Sequence, residues 1–314
     1  MDSAIVKGSP RFHNFLLCAI LFHKFQLGVP MSIVEGVLLG VLQGVAEFLP
    51  ISSSGHLALA QELFDLDEVP LLFDVMLHLA TLGAVLLFFR RRIWTLLQVA
   101  IRWLGRRSLP EDAASLRTIA ALLLGTAVTS VFAITLSDII EDYSETAVCI
   151  GFFITAVLLI FSDAVEERRR KRRLESGLDE GTFRDGTQAQ DCGVSPLQGM
   201  AIGLAQGFGT LPGISRSGST IAGALLCGVD REQAGEFSFL LSIPAILGAF
   251  VLELDDLDAM GEAVGLAPLL AGCLSAFVAG IFALAVLMKI VRKGKLEWFA
   301  AYLIPAGILG LVFL

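Results

Sequence analysis

Two charges stand where an apolar chain should carry none. Glu47 follows the run that begins at Gly36, and Arg216 follows the run that begins at Gly199. A charge in so apolar a setting costs roughly 3 kcal/mol on insertion scales, so it faces a cavity, an ion or an opposite charge. Beside Glu47 come Ser52, Ser53, Ser54 and His56; beside Arg216 come Ser215, Ser217 and Thr220. A guanidinium fork matches phosphate oxygens, and hydroxyls and backbone amides next to glycines receive an anion. A histidine moves protons near neutral pH. The set is suited to holding and attacking a phosphate. The structural alternative is a plain Glu47–Arg216 ion pair with serines bonded to local backbone.

Gln43 precedes Glu47 by four residues and so shares its helical face. Asp74 and His78 have the same spacing in the next apolar run; His78 either packs or joins the site, and Asp74 either orients it or lines an outer mouth. His13 and His23 lie outside any such pattern. The five cysteines are scattered and odd in number, which implies neither a disulfide framework nor a metal cage.

The stretches that carry these groups are copies of one another. Positions 36–55 and 199–218 agree at Gly36, Gly40, Gln43, Gly44, Ile51, Ser52, Ser54 and Gly55, where chance predicts on the order of one or two matches. The copies differ at Glu47, which aligns with Thr210, and at Ser53, which aligns with Arg216. Each glycine row permits close approach of another helix. Pro50 and Pro212-Gly213 break the helices, and short second helices are expected to start at His56 and Thr220, turning their positive ends to one place.

With 55% hydrophobic and 17% charged residues, the chain reads as an all-α integral membrane protein. Six spans are expected, at about 71–89, 116–136, 147–161, 237–254, 268–288 and 298–314. Basic loops at Arg90–Arg107, Arg168–Arg173 and Lys289–Lys295 lie inside by the positive-inside rule, and acidic clusters at 65–68, 138–142 and 255–258 fall on the other side. Three crossings per half invert the second half relative to the first. Segments 33–64 and 196–229 then enter and leave on one side each, as re-entrant pairs whose tips meet near the midplane. The expected organisation is an extension or misassigned start at 1–30, a first repeat at 31–165, a charged cytoplasmic linker at 166–195 and a second repeat at 196–314. The net charge of −8 is split between loops and carries no sign of nucleic-acid binding.

The stretch from Gln43 through Glu47-Phe48-Leu49-Pro50-Ile51-Ser52-Ser53-Ser54-Gly55-His56 resembles the first signature of the undecaprenyl-diphosphate phosphatase, or bacitracin-resistance, family. Pro212 to Thr220 resembles the second, and Phe73–Leu82 and Glu236–Leu241 are similar to further family stretches. The resemblance covers about residues 31–314. It implies a multi-pass enzyme of the inner membrane, with an extracytoplasmic site, that removes the terminal phosphate of a polyprenyl diphosphate and recycles the cell-wall lipid carrier. It implies catalytic roles for Glu47, Ser53, His56 and Arg216, and a phosphate surround of Ser52, Ser54, Ser215, Ser217 and Thr220. It further implies a divalent cation, Mg²⁺ or Ca²⁺, at Glu47 with Gln43, whose amide stands where some members have Glu. Membrane lipids and a second copy of the chain are the candidate partners. Ser53 attack and attack by water activated at Glu47 both stay open. A transporter or flippase for an anion or phosphorylated lipid is the reading from a different class, since its plan of inverted repeats is the same.

Overall fold

The computed structural model describes residues 31–64, 66, 71–135, 144–176, 193–252 and 264–313, and among them every regular element is helical. The segment 1–30, the acidic residues of 65–68, 138–142 and 255–258, and linker residues 177–192 lie outside the described residues.

The two motif helices begin alike. Helix α1 (Ile33–Ala46) starts at Ser32, whose Oγ accepts from the Glu35 amide while Glu35 accepts from the Ser32 amide. Helix α7 (Pro196–Phe208) starts at Ser195, which makes the same reciprocal pair with Gln198 and has Pro196 in the first turn. Each box satisfies two otherwise orphaned N–H groups. After a short break, α1 is followed by α2 (Ser53–Leu63) and α7 by α8 (Arg216–Leu226). Both second helices begin three or four residues earlier than the sequence suggests. Ser215 caps α8 by accepting from the Gly218 amide, whereas Ser52, in the same place before α2, makes no such side-chain bond.

Between the motif pairs run α3 (Leu71–Phe88), α4 (Arg90–Leu104), α5 (Ala113–Thr135, entered by a 3-10 turn at Pro110–Asp112) and α6 (Glu145–Glu175). After them come α9 (Arg231–Leu252), α10 (Leu266–Lys293) and α11 (Glu297–Phe313). Pro110–Thr135, Thr146–Arg172, Arg231–Leu252 and Leu266–Lys293 are long and apolar enough to cross a membrane. Helix α3 reaches that standard only when joined to α4, from which it is bent by 78°, and α11 has 17 residues. Among the described residues, four or five helices therefore meet the length and hydropathy of a span where six spans were expected. The expected inside loop at Arg90–Arg107 is mostly the helix α4.

The run Arg168–Arg173, expected in a flexible linker, is instead the end of α6. Glu167 pairs with Arg170 and Lys171 along the helix surface, Arg169 donates to the Leu225 and Leu226 carbonyls at 2.9 Å, and Arg231 clasps Asp163 and Glu166. Tertiary anchors of this kind hold a helix that composition alone would dissolve.

The glycine rows decide the packing. A Cβ on Gly36 would meet the Pro268 carbonyl at 2.5 Å, and one on Gly40 or Gly44 would strike Gly272 or Ala276, so α1 lies directly on α10. Gly199 and Gly203 lie likewise on Ala121 and Gly125, so α7 lies on α5. Each motif helix thus seats on a helix of the other half of the chain. Helix α11 packs along α6, and α8 is held between α6 and α9. Phe48, Phe89 and Phe239 form an aromatic cluster just beneath the first break, with Phe48 and Phe239 edge to face at 5.6 Å.

Candidate active site

Glu47 continues the last turn of α1, its amide donating to the Gln43 carbonyl at 2.9 Å, and its side chain is 7% exposed. Four groups converge on that carboxylate. Arg216, first residue of α8, binds Oε1. Oε2 accepts from Ser53 Oγ at 2.7 Å and from Gln43 Nε2 at 3.1 Å, and His78 Nε2 lies 3.3 Å from it. The two breaks therefore meet at one carboxylate, and His78 of α3 belongs to its immediate surround. Asp74 holds His78 through its backbone carbonyl, which takes Nδ1 at 2.7 Å, while its carboxylate accepts from Gln61.

Ser52 links α1 to α2 with φ 71° and ψ 93°, a backbone state costly for a residue with a Cβ. Its Oγ is buried with no partner, and its carbonyl receives His56 Nδ1 at 2.8 Å. The other face of His56 turns from Glu47 to Tyr302 of α11, Nε2 to hydroxyl at 2.7 Å, with the ring stacked between Phe152 and Tyr302. Ser54 is exposed at the start of α2. Ser215 anchors the second break through its amide, which donates to Thr155 Oγ1 at 3.0 Å, and its Oγ lies 3.3 Å from Ser217 Oγ. The Thr220 hydroxyl is turned into its own helix, reaching the Arg216 carbonyl and Ser238.

Charge and dipoles point one way. The first N–H groups of a helix have no partner within it, so α2 and α8 bring free amides to the residues that flank Glu47. A narrow cleft opens beside the pair, lined by Glu47, Arg216, Ser217, Thr220, Ser238 and Ser242 among others. Sequence reasoning missed Tyr302, Thr155, Ser238 and Ser242. Thr155 and Tyr302 each stand as a lone polar residue in an apolar helix, whereas the i, i+4 spacing of Ser238 and Ser242, with Ser238 in the family-like stretch Glu236–Leu241, was a signal that could have found them.

Among the described residues no three His, Cys, Asp or Glu side chains gather as a metal cluster. The oxygen donors present are the Glu47 carboxylate and Gln43 Oε1, which is buried and has no hydrogen-bond partner. That pair suits a hard cation that takes its remaining ligands from water and substrate phosphate.

Residues 36–309 match the family described as bacitracin resistance protein BacA. An undecaprenyl-diphosphatase of Treponema denticola is 45% identical over 278 residues, covering 88% of this chain and 96% of that protein. One from Carboxydothermus hydrogenoformans is 37% identical, covering 90% and 97%, and one from Borrelia hermsii is 33% identical, covering 87% and 96%. The match spans both breaks and the helices that seat them, and the chain belongs to the BacA bacitracin-resistance family.

Proposed function

We infer that this chain is an undecaprenyl-diphosphate phosphatase, hydrolysing the lipid diphosphate to its monophosphate and inorganic phosphate and so serving bacitracin resistance. The observation that carries the reading is the Ser53 hydroxyl aimed at Glu47 Oε2 at 2.7 Å, with Arg216 on the other oxygen of the same carboxylate. A candidate nucleophile and an anion-binding cation thus meet at one carboxylate that can act as the base.

In the proposed sequence the terminal phosphate enters beside Arg216, which exchanges part of its bond with Glu47 for phosphate oxygens. Freed of that counter-charge, Glu47 takes the Ser53 proton as Ser53 Oγ bonds to the terminal phosphorus and the anhydride P–O bond breaks. The polyprenyl monophosphate leaves, and water then cleaves the phosphoserine. The amides at the starts of α2 and α8 face the charge that builds on phosphoryl oxygens. His56, held by the Ser52 carbonyl and Tyr302, is placed to move a proton at the rim of the site. A Mg²⁺ or Ca²⁺ ion held by Glu47 and Gln43 Oε1 would neutralise diphosphate charge when bound.

The same reading takes α1–α2 and α7–α8 as re-entrant pairs of two inverted repeats in the inner membrane, with the site open to the extracytoplasmic side. It is supported by the twin capping boxes, the reciprocal seating of α1 on α10 and α7 on α5, and the clustering of basic residues at Arg90–Arg107 and Arg168–Arg173. The test is release of phosphate from undecaprenyl diphosphate by purified protein in detergent with Mg²⁺ or Ca²⁺, set against Glu47→Gln and Arg216→Ala. Absence of release by the folded native protein would overturn the assignment.

A further inference from the structure

Helix α4 is set apart from the spans by its direction and by how its faces are used. It leaves α3 at 78° across Phe89. If α3 crosses the bilayer with an ordinary tilt of about 20°, α4 lies within roughly 30° of the membrane plane. One edge faces the protein: Leu96 and Val99 are 8% and 2% exposed, and Arg92 on that side binds Glu236 of α9 at 2.8 Å. The opposite edge is apolar and bare, with Trp94, Leu97, Ile101 and Leu104 between 49% and 74% exposed. Between the two edges runs a polar strip of Arg91, Thr95, Gln98 and Arg102.

The arginines divide by what they touch. Arg90 donates to the Leu87 carbonyl at the end of α3, and Arg102 is held by Asp112. Arg91, Arg106 and Arg107 are exposed and make no ion pair among the described residues. Arg106 stands in the left-handed region at φ 55°, which turns the chain back: its amide donates to Trp103 and the Arg107 amide to Arg102. That turn keeps Arg106 and Arg107 beside the helix end, close to Trp103. Exposed arginines near tryptophans in the chain, flanking an apolar edge, are the layout of a helix at the headgroup level of a bilayer.

We propose that α4 is an in-plane interfacial helix that binds the phosphate headgroups of anionic phospholipids through Arg91, Arg106 and Arg107, with Trp94, Leu97, Ile101 and Leu104 seated in the acyl boundary. The partner is an acidic lipid surface, and this site is separate from the cleft around Glu47. Each arginine at an anionic surface contributes about a five-fold preference, so three together give about a hundred-fold.

The test uses the full chain reconstituted in nanodiscs. Variants Trp103→Phe/Trp298→Phe and Trp94→Phe/Ile101→Trp/Trp103→Phe/Trp298→Phe leave a sole tryptophan at position 94 or 101, both on the apolar edge of α4, for quenching by phosphatidylcholines brominated at graded depths. Similar, shallow depths are expected; depths about 10 Å apart, the rise of seven helical residues, would overturn the in-plane placement. Native mass spectrometry then compares retained phosphatidylglycerol with phosphatidylcholine. The native protein should favour phosphatidylglycerol and lose that preference as ionic strength rises. Arg91→Gln/Arg106→Gln/Arg107→Gln should lower it about a hundred-fold, while the triple Lys variant keeps most of it. A preference unmoved by salt, or equal in the Gln and native proteins, would overturn the lipid site.

Discussion

Glu47 and Arg216 stand 169 residues apart in the chain and form a single ion pair across the two breaks. With side chains 7% and 20% exposed, neither is free to be satisfied by water alone, so each is held by the other. The pair is a latch between the motif copies and, in the proposed reaction, the place where the terminal phosphate enters.

Removing one partner leaves the other charge stranded. Glu47→Gln and Arg216→Ala should each lower the rate of phosphate release by about 10²–10³ and destabilise the fold by about 3 kcal/mol. The double variant should lose much less than the sum of the two, because the interaction is shared. Turnover and thermal unfolding in the same detergent check both statements.

Ser53→Ala removes the proposed nucleophile while leaving the Glu47–Arg216 bond in place. Turnover should fall by about 10³, and labelled phosphate trapped on the native protein should map to Ser53. Near-normal turnover by the alanine variant would assign the attack to water activated at Glu47.

Tyr302→Phe keeps the ring that stacks on His56 but deletes the hydroxyl 2.7 Å from Nε2. A positioning role predicts that kcat falls about ten-fold, with a displaced limb of the pH–rate profile. An unchanged profile, with only a small loss of stability, would reduce Tyr302 to packing.

The glycine rows give a stability prediction with an internal control. Gly40→Ala and Gly203→Ala put a methyl against the backbone of Gly272 and Gly125 and should cost about 1–3 kcal/mol each, measured by thermal unfolding. Gly248→Ala in α9 meets nothing within 4 Å and should be neutral or stabilising by up to about 1 kcal/mol.

Asp112 ties the 3-10 turn to the end of α4. Arg102 and the Leu109 amide both donate to its carboxylate. Asp112→Asn weakens both bonds and should unfold more readily than the native protein, by about 1–3 kcal/mol in thermal unfolding.

What the sequence made legible was what local chemistry dictates. The glycine rows announce close packing, and Glu47 and Arg216 announce, through the cost of burying charge, that each needs a partner nearby. What it hid depends on distant partners. The basic end of α6 reads as linker because nothing nearby in sequence shows that Arg231 will bind Asp163 and Glu166. Tyr302 reads as one more residue of an apolar helix until α11 packs on α6 and brings its hydroxyl to His56. Helix α4 was lost in its arginines, since charges every few residues mask the apolar edge between them.

The reciprocal seating of the motif helices also sets an order of events for the growing chain. Helix α1 emerges early, yet the helix its glycines fit, α10, ends at Lys293. At roughly 5–20 residues per second, synthesis takes some tens of seconds to supply that partner. For most of that interval Glu47 lacks Arg216 as well as the wall that α1 rests on, and α7, by contrast, emerges with α5 already made. The first motif is therefore the part of the nascent protein most exposed to misinsertion, and the site closes only as the last third of the chain arrives.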